Sequence, residues 1–113
     1  MKKTATRKVT FEMVRREALS LPDVTENTWH GLTGFNNAGK LFLVFREKLN
    51  SIVVRATFER RDEMIDADPR TYYTNDHYRG YPWVLARLDA LDPGVLPDLL
   101  RMGWQYFSDA KKR

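Results

Sequence analysis

Apolar positions recur along the chain in two rhythms. Phe11, Val14, Ala18 and Leu21 follow the i, i+3, i+7 spacing of one helical stripe. Thr10 is a good N-cap, and Glu12 falls in the first turn, where the helix dipole favours a negative charge. A helix is therefore predicted over 10–20. Pro22 closes it, because a proline disfavours helical geometry in the residue before it. From Lys40 to Arg46 the rhythm becomes strict alternation. Leu41, Leu43 and Phe45 are expected on one face, and Phe42 and Val44 on the other. Both faces are apolar, so the strand is expected at the centre of a sheet. Ser51 to Thr57 reads as its antiparallel partner across a turn at Lys48-Leu49-Asn50. Ile52, Val54 and Ala56 share one face, and Val53, Arg55 and Thr57 share the other.

The remaining segments are shorter. Glu26 to His30 reads as a short strand, and Gly31, Gly34 and Gly39 punctuate the stretch after it. Asn36-Asn37-Ala38-Gly39 reads as a hairpin turn, since Asn and Gly accept positive φ. Glu59 to Ala67 reads as a helix that mostly faces water, closed by Asp68-Pro69. Thr71 to Thr74 is a candidate edge strand. Trp83 to Leu88 is a further strand, with Trp83, Leu85 and Arg87 on one face. A last helix is expected from about Asp92 to Ala110, with Leu96, Leu99, Leu100, Gly103 and Phe107 inward and Trp104 beside them. Pro97 leaves its start open between Asp92 and Leu96, because proline lacks an N–H. Helices at the ends and antiparallel strands between them give an α+β sandwich, one sheet against two helices.

Composition narrows the class. The chain has 113 residues, 42% of them hydrophobic and 30% charged, enough for a single folded domain. It has no cysteine, which excludes disulfides, thiolate metal sites and a cysteine nucleophile, and fits a cytoplasmic location. No apolar run reaches the roughly 20 residues of a membrane span, and none follows Lys2 and Lys3 as in a secretory signal. The net charge of +4 is unevenly placed. Lys2, Lys3, Arg7, Lys8, Lys111, Lys112 and Arg113 sit at the ends. The rest holds 12 basic residues against 15 acidic ones, a net −3. The expected organisation is a basic tail over 1–9, a domain over 10–110 and a basic tail over 111–113.

Catalytic patterns are missing. Neither histidine, His30 or His77, stands in a nucleophile motif, and the glycines are not spaced as a phosphate loop. A metal site needs three or four convergent ligands. Adjacent Asp76 and His77 would point to opposite faces of an extended segment. No enzyme activity, metal or other cofactor is expected. The segment of interest is 75–83, Asn-Asp-His-Tyr-Arg-Gly-Tyr-Pro-Trp. Arg79 between Tyr78 and Tyr81 can stack on a base or hold an anionic ligand. The same residues also suit a structural cover, with Pro82 and Trp83 entering the strand. His30 could line the same cleft. Lys40, Arg46, Arg55 and Arg87 sit on strands, where charge is usually a solvated face. The candidate nucleic-acid or ligand-binding residues are His30, Lys40, Arg55, His77, Tyr78, Arg79 and Tyr81. Their candidate partners are DNA and an anionic small molecule. A small-molecule or protein-binding module using the cleft of His30, His77, Tyr78, Arg79 and Tyr81, without catalysis, is the alternative. The chain is expected to be a monomer without membrane contact.

Several segments in order resemble the MmcQ/YjbR-like family of small bacterial proteins. They are Ala18-Leu19-Ser20-Leu21-Pro22-Asp23-Val24, Gly39-Lys40-Leu41-Phe42, Arg61-Asp62 with Ala67-Asp68-Pro69, and above all residues 74–84 from Thr74 to Val84. The resemblance covers about residues 10–108. It implies a fold similar to CyaY and frataxin, a curved antiparallel sheet against two helices in a double-wing arrangement. It also implies DNA binding, and it carries no catalytic residue onto this sequence. A frataxin-like fold raises iron binding, which wants an acidic ridge. The first helix instead mixes Glu12 and Glu17 with Arg15 and Arg16.

Overall fold

The computed structural model describes residues 8–111. In chain order it contains α1 (Phe11–Leu19), β1 (Val24–Trp29), β2 (Leu32–Asn37), β3 (Lys40–Arg46), β4 (Ser51–Arg55), α2 (Phe58–Ala67), β5 (Tyr72–Tyr73), β6 (Trp83–Arg87) and α3 (Leu96–Lys111). Single 3₁₀ turns lie at Glu47–Leu49 and Pro93–Val95. The strands form one six-stranded sheet in the order β1-β2-β3-β4-β6-β5, antiparallel throughout. This is the expected α+β architecture.

Local chemistry explains the boundaries. The Thr10 hydroxyl accepts the Met13 N–H at 3.1 Å and starts α1. Thr57 accepts the Arg60 N–H at 3.1 Å, so it caps α2 instead of extending β4 as its alternation suggested. Two tight hairpins join β1, β2 and β3. Their central residues, His30-Gly31 and Ala38-Gly39, all have positive φ, between 50° and 86°. That matches the two-residue turns whose twist suits paired strands. The short strand expected at 26–30 is therefore Val24–Trp29 with His30 in its turn, and a full strand comes next where glycines suggested only punctuation. Asp92 caps the 3₁₀ turn through the Gly94 N–H, at 2.9 Å. The regular α3 begins at Leu96, which puts Pro97 in the first turn where no N–H is needed.

The expected alternation of β3 is corrected by a bulge. Phe35 pairs with Leu43 but Asn36 pairs with Leu41, so Phe42 is the extra residue. Phe42 consequently joins Leu43 and Phe45 in the core beneath the helices, while Leu41 packs with Val44 on the opposite face. Gly103 of α3 confirms the direction. A Cβ there would meet Val54 Cγ1 at 2.6 Å and Phe42 Cδ2 at 3.3 Å, so glycine lets α3 lie close on β3 and β4.

The sheet separates two cores. The larger contains Phe35, Phe42, Leu43, Phe45, Ile52, Val54, Val84 and Ala86, with side chains of α1, α2 and α3 packed on them. Met64 and Ile65 bring the inserted helix α2 to this same side. The smaller contains Val44, Val53, Leu85, Trp83 and Tyr78, with Leu32, Leu41 and Tyr73 against them. Among the described residues, no helical side chain enters it. Val9, assigned by charge to the N-terminal tail, is a core residue at 3% exposure. Of the basic tails, Lys8 reaches Asp89 at 3.5 Å. Lys2, Lys3, Arg7, Lys112 and Arg113 lie outside the described residues.

Candidate functional site

The helix-free face of the sheet is roofed by one loop, residues 74–82. Asn75 starts its turn. The backbone carbonyl of Asn75 accepts the Arg79 N–H at 2.8 Å, and its side-chain oxygen accepts the Tyr78 N–H at 3.1 Å. This drops the Tyr78 ring onto Val44 and Val53, leaving it 5% exposed. The loop backbone is pinned from the other side by Arg61. Its Nη1 donates to the carbonyls of Arg79 at 2.8 Å and Tyr81 at 3.3 Å. Arg61 is buried, although the sequence of α2 placed it on a water-facing surface.

Three arginines decorate this face. Arg46 and Arg87 stand in one cross-strand row, since Arg46 pairs with Ser51 and Ser51 pairs with Arg87. Two strand spacings put their backbones about 10 Å apart. Arg55 lies four residues along β4 from Ser51, about 13 Å away. Each guanidinium rests on an aromatic ring. Arg46 lies 5.9 Å from the Tyr78 centroid, Arg55 4.1 Å from Trp83 and Arg87 4.0 Å from Tyr73. Each donates to a neutral acceptor. Arg46 reaches the Tyr78 hydroxyl at 3.0 Å, Arg55 the Leu41 carbonyl at 3.3 Å, and Arg87 the Arg70 carbonyl at 3.0 Å. Among the described residues, none of the three forms an ion pair with a carboxylate. Burial pushes the Arg55 guanidinium below its ordinary value.

The wider charge pattern agrees. The strands carry four basic residues, Lys40, Arg46, Arg55 and Arg87, and one acidic residue, Glu26. Glu26 faces α1, where Arg15 holds it at 3.1 Å. That contact, with a second from Glu12, raises the Arg15 pKa. The acidic excess of the chain therefore sits on helices and turns, as in the exposed strip Glu59, Asp62, Glu63 and Asp66 of α2. Exposed Lys40 and half-buried Arg55 converge at one end of the sheet, Lys40 lying 5.7 Å from the Phe107 centroid and Arg55 5.4 Å from it.

The other residues singled out in the sequence take separate places. Tyr78 is a core side chain whose hydroxyl serves Arg46. Arg79 is ion-paired with Asp76 on the exposed side of the loop. His77 is exposed, with its ring edge-on to Tyr78, and Tyr81 is 61% exposed. His30 occupies the β1–β2 turn, edge-on to Trp29 at 4.5 Å. Among the described residues, no hydrogen bond, ion pair or ring contact links His30 to the 75–81 loop. A surface cleft of about 770 Å³ opens elsewhere, between Arg70, Thr71, Arg87 and Asp89. Among the described residues, no cluster of three His, Asp or Glu could hold a metal ion, and no helix is long and apolar enough to cross a membrane. Arg46 and Arg87, read from the sequence as solvated strand charges, and Trp29, which the sequence did not single out, are the further side chains of this face. The signal for the two arginines was the near-absence of acidic residues from the strand segments.

Comparison with known proteins points in one direction. The YjbR family model matches residues 19–106. The fold resembles the crystal structure of Deinococcus radiodurans protein DR2400, which contains a domain described as DUF419. The TM-score is 0.75 at 17% identity, over 98% of this chain and 85% of that one. Among curated proteins no match is found.

Proposed function

The chain belongs to the YjbR family, and from that premise we propose that it is a DNA-binding protein that acts by contact alone, with no catalysis of its own. The observation that carries the reading is the set of strand arginines, Arg46 and Arg87 in one cross-strand row and Arg55 at the end of the sheet, each against an aromatic ring and none neutralised by a carboxylate among the described residues. Phosphate contacts by Arg and Lys supply most of non-specific DNA affinity. A guanidinium already oriented on an aromatic ring loses little freedom when it meets a phosphate. Lys40 and the basic residues at the chain ends would extend the same electrostatic field. The absence of cysteine fits work in the reducing cytoplasm, as a monomer that offers one sheet face to its partner.

The test is fluorescence anisotropy of labelled DNA against the full chain over a salt series. The triple substitution R46Q/R55Q/R87Q should flatten the plot of log affinity against log salt by about 2 to 3, since each lost phosphate contact removes roughly 0.7 to 0.9 from the slope. A slope unchanged by the triple substitution would move binding to the chain ends and overturn the reading.

A further inference from the structure

We propose that the bound form is a single strand, with unpaired bases lying on the outer face of β1 and β2 beside the arginine row. This deepens the DNA-binding reading and rests on it. The register places Trp29 beside Leu32, Asn27 beside Gly34 and Thr25 beside Asn36, all on the face opposite the helices. Among the described residues, the side chains that β1 and β2 place on this face carry no charge of either sign. This half of the face lies next to β3, β4 and β6, which carry the three arginines. One sheet face thus offers two zones side by side, one suited to phosphates and one suited to bases.

The second zone has the chemistry of a base platform. Trp29 is 43% exposed, although it is the largest side chain of β1. One edge of its ring is held by the neighbouring turn. His30 packs edge-on against it, and across the pair Gly34 leaves space for the Leu41 side chain, so the surface beside the indole stays flat. A Cβ at Gly34 would come within 3.7 Å of the Trp29 Cβ and 2.8 Å of Leu41 Cδ1. An exposed, held indole stacks on any base. Asn27 and Asn36 add amides that both donate and accept, as base edges require. A duplex keeps its bases stacked inside and presents grooves, which are usually entered by a helix or a two-stranded ribbon. All three helices lie on the opposite side of the sheet. Flat readout of splayed bases by a sheet suits single strands.

The experiment compares fluorescein-labelled dT15, rU15 and a 15-base-pair duplex on the full chain at one salt concentration. Wild type should bind at least one of the single strands about tenfold more tightly than the duplex, and the dT15 and rU15 arms show which sugar is preferred. Trp29→Ala should weaken single-strand binding about fivefold to a hundredfold, the range for one lost base stack, and leave duplex binding unchanged. Trp29→Phe should retain most of the single-strand affinity, which excludes a folding defect as the cause. Equal affinity for duplex and single strands, unmoved by Trp29→Ala, would overturn the base platform while leaving the arginine row standing. No binding by any oligonucleotide would overturn both.

Discussion

The two faces of the sheet are made from the same strands but covered in different ways. Beneath the helices, Phe35, Phe42, Phe45, Ile52 and Val54 are sealed by side chains from α1, α2 and α3. On the other side, Val44, Val53 and Leu85 are covered only by Trp83, Tyr78 and flanking residues of strands and one loop. The strand charges divide the same way. The one strand carboxylate among the described residues, Glu26, is paired to α1, while Arg46 and Arg87 lie on Tyr78 and Tyr73 across the sheet and Arg55 lies on Trp83 at the sheet's end, where Phe107 of α3 also meets it. The larger buried cluster lies on the first face. The second keeps charge and aromatic surface available, at the cost of a thinner cover. A single sheet can therefore separate the work of holding a fold from the work of meeting a partner.

Substitutions on the two faces should differ in size. Phe42→Ala, at a fully buried ring against Gly103, should cost about 3–5 kcal/mol. Tyr78→Phe, which keeps the ring and removes only the acceptor for Arg46, should cost about 1 kcal/mol. Urea unfolding measures both, and equal losses would remove the distinction between the faces. Arg61→Ala should fall between them, at about 1.5–3 kcal/mol, because it strips the carbonyls of Arg79 and Tyr81 of a charged donor. Its sharper signature is hydrogen exchange. Amides of 75–82 should lose protection while those of β3 keep theirs.

Much of this division was legible in the sequence. Thr10 and Asp92 announced their caps, and Leu96 was one of two starts left open by Pro97. The alternation of β4 placed Arg55 with Val53 on the outer face. Three features escaped for physical reasons. The bulge at Phe42 inverts a pattern that strict alternation fixes, and nothing in Leu41-Phe42-Leu43 marks it locally. Arg61 looks like one more charge on a polar helix until the 75–82 loop folds over it. Lys40 and Arg55 meet at Phe107 only because β3, β4 and the end of α3 come together, a contact between residues far apart in the chain. The loop 75–83 drew attention by its composition, yet Tyr78 is spent on the core and Arg79 on Asp76.

The smallest expected effect is a pH dependence. Burial, with a lesser contribution from Asp68, raises the Tyr72 phenol above its ordinary value of 10.0. The folded state then holds this proton more tightly than the unfolded chain. Its contribution is complete below pH 10.0 and is lost as pH rises through the raised folded value. Tyr72→Phe should flatten the alkaline limb of stability against pH, as read by thermal unfolding. An unchanged limb would mean that this ring is better hydrated than its place on the helix side of β5 implies.

The most direct test is a map of the bound surface. Two-dimensional amide spectra of the full chain should be recorded during titration with unlabelled dT15. Shifts are expected at Trp29, Asn36, Arg46, Arg55 and Arg87 and their strand neighbours, with α1 and the acidic side of α2 unmoved. Shifts confined to the helix side, or to the residues before Val9, would contradict the account.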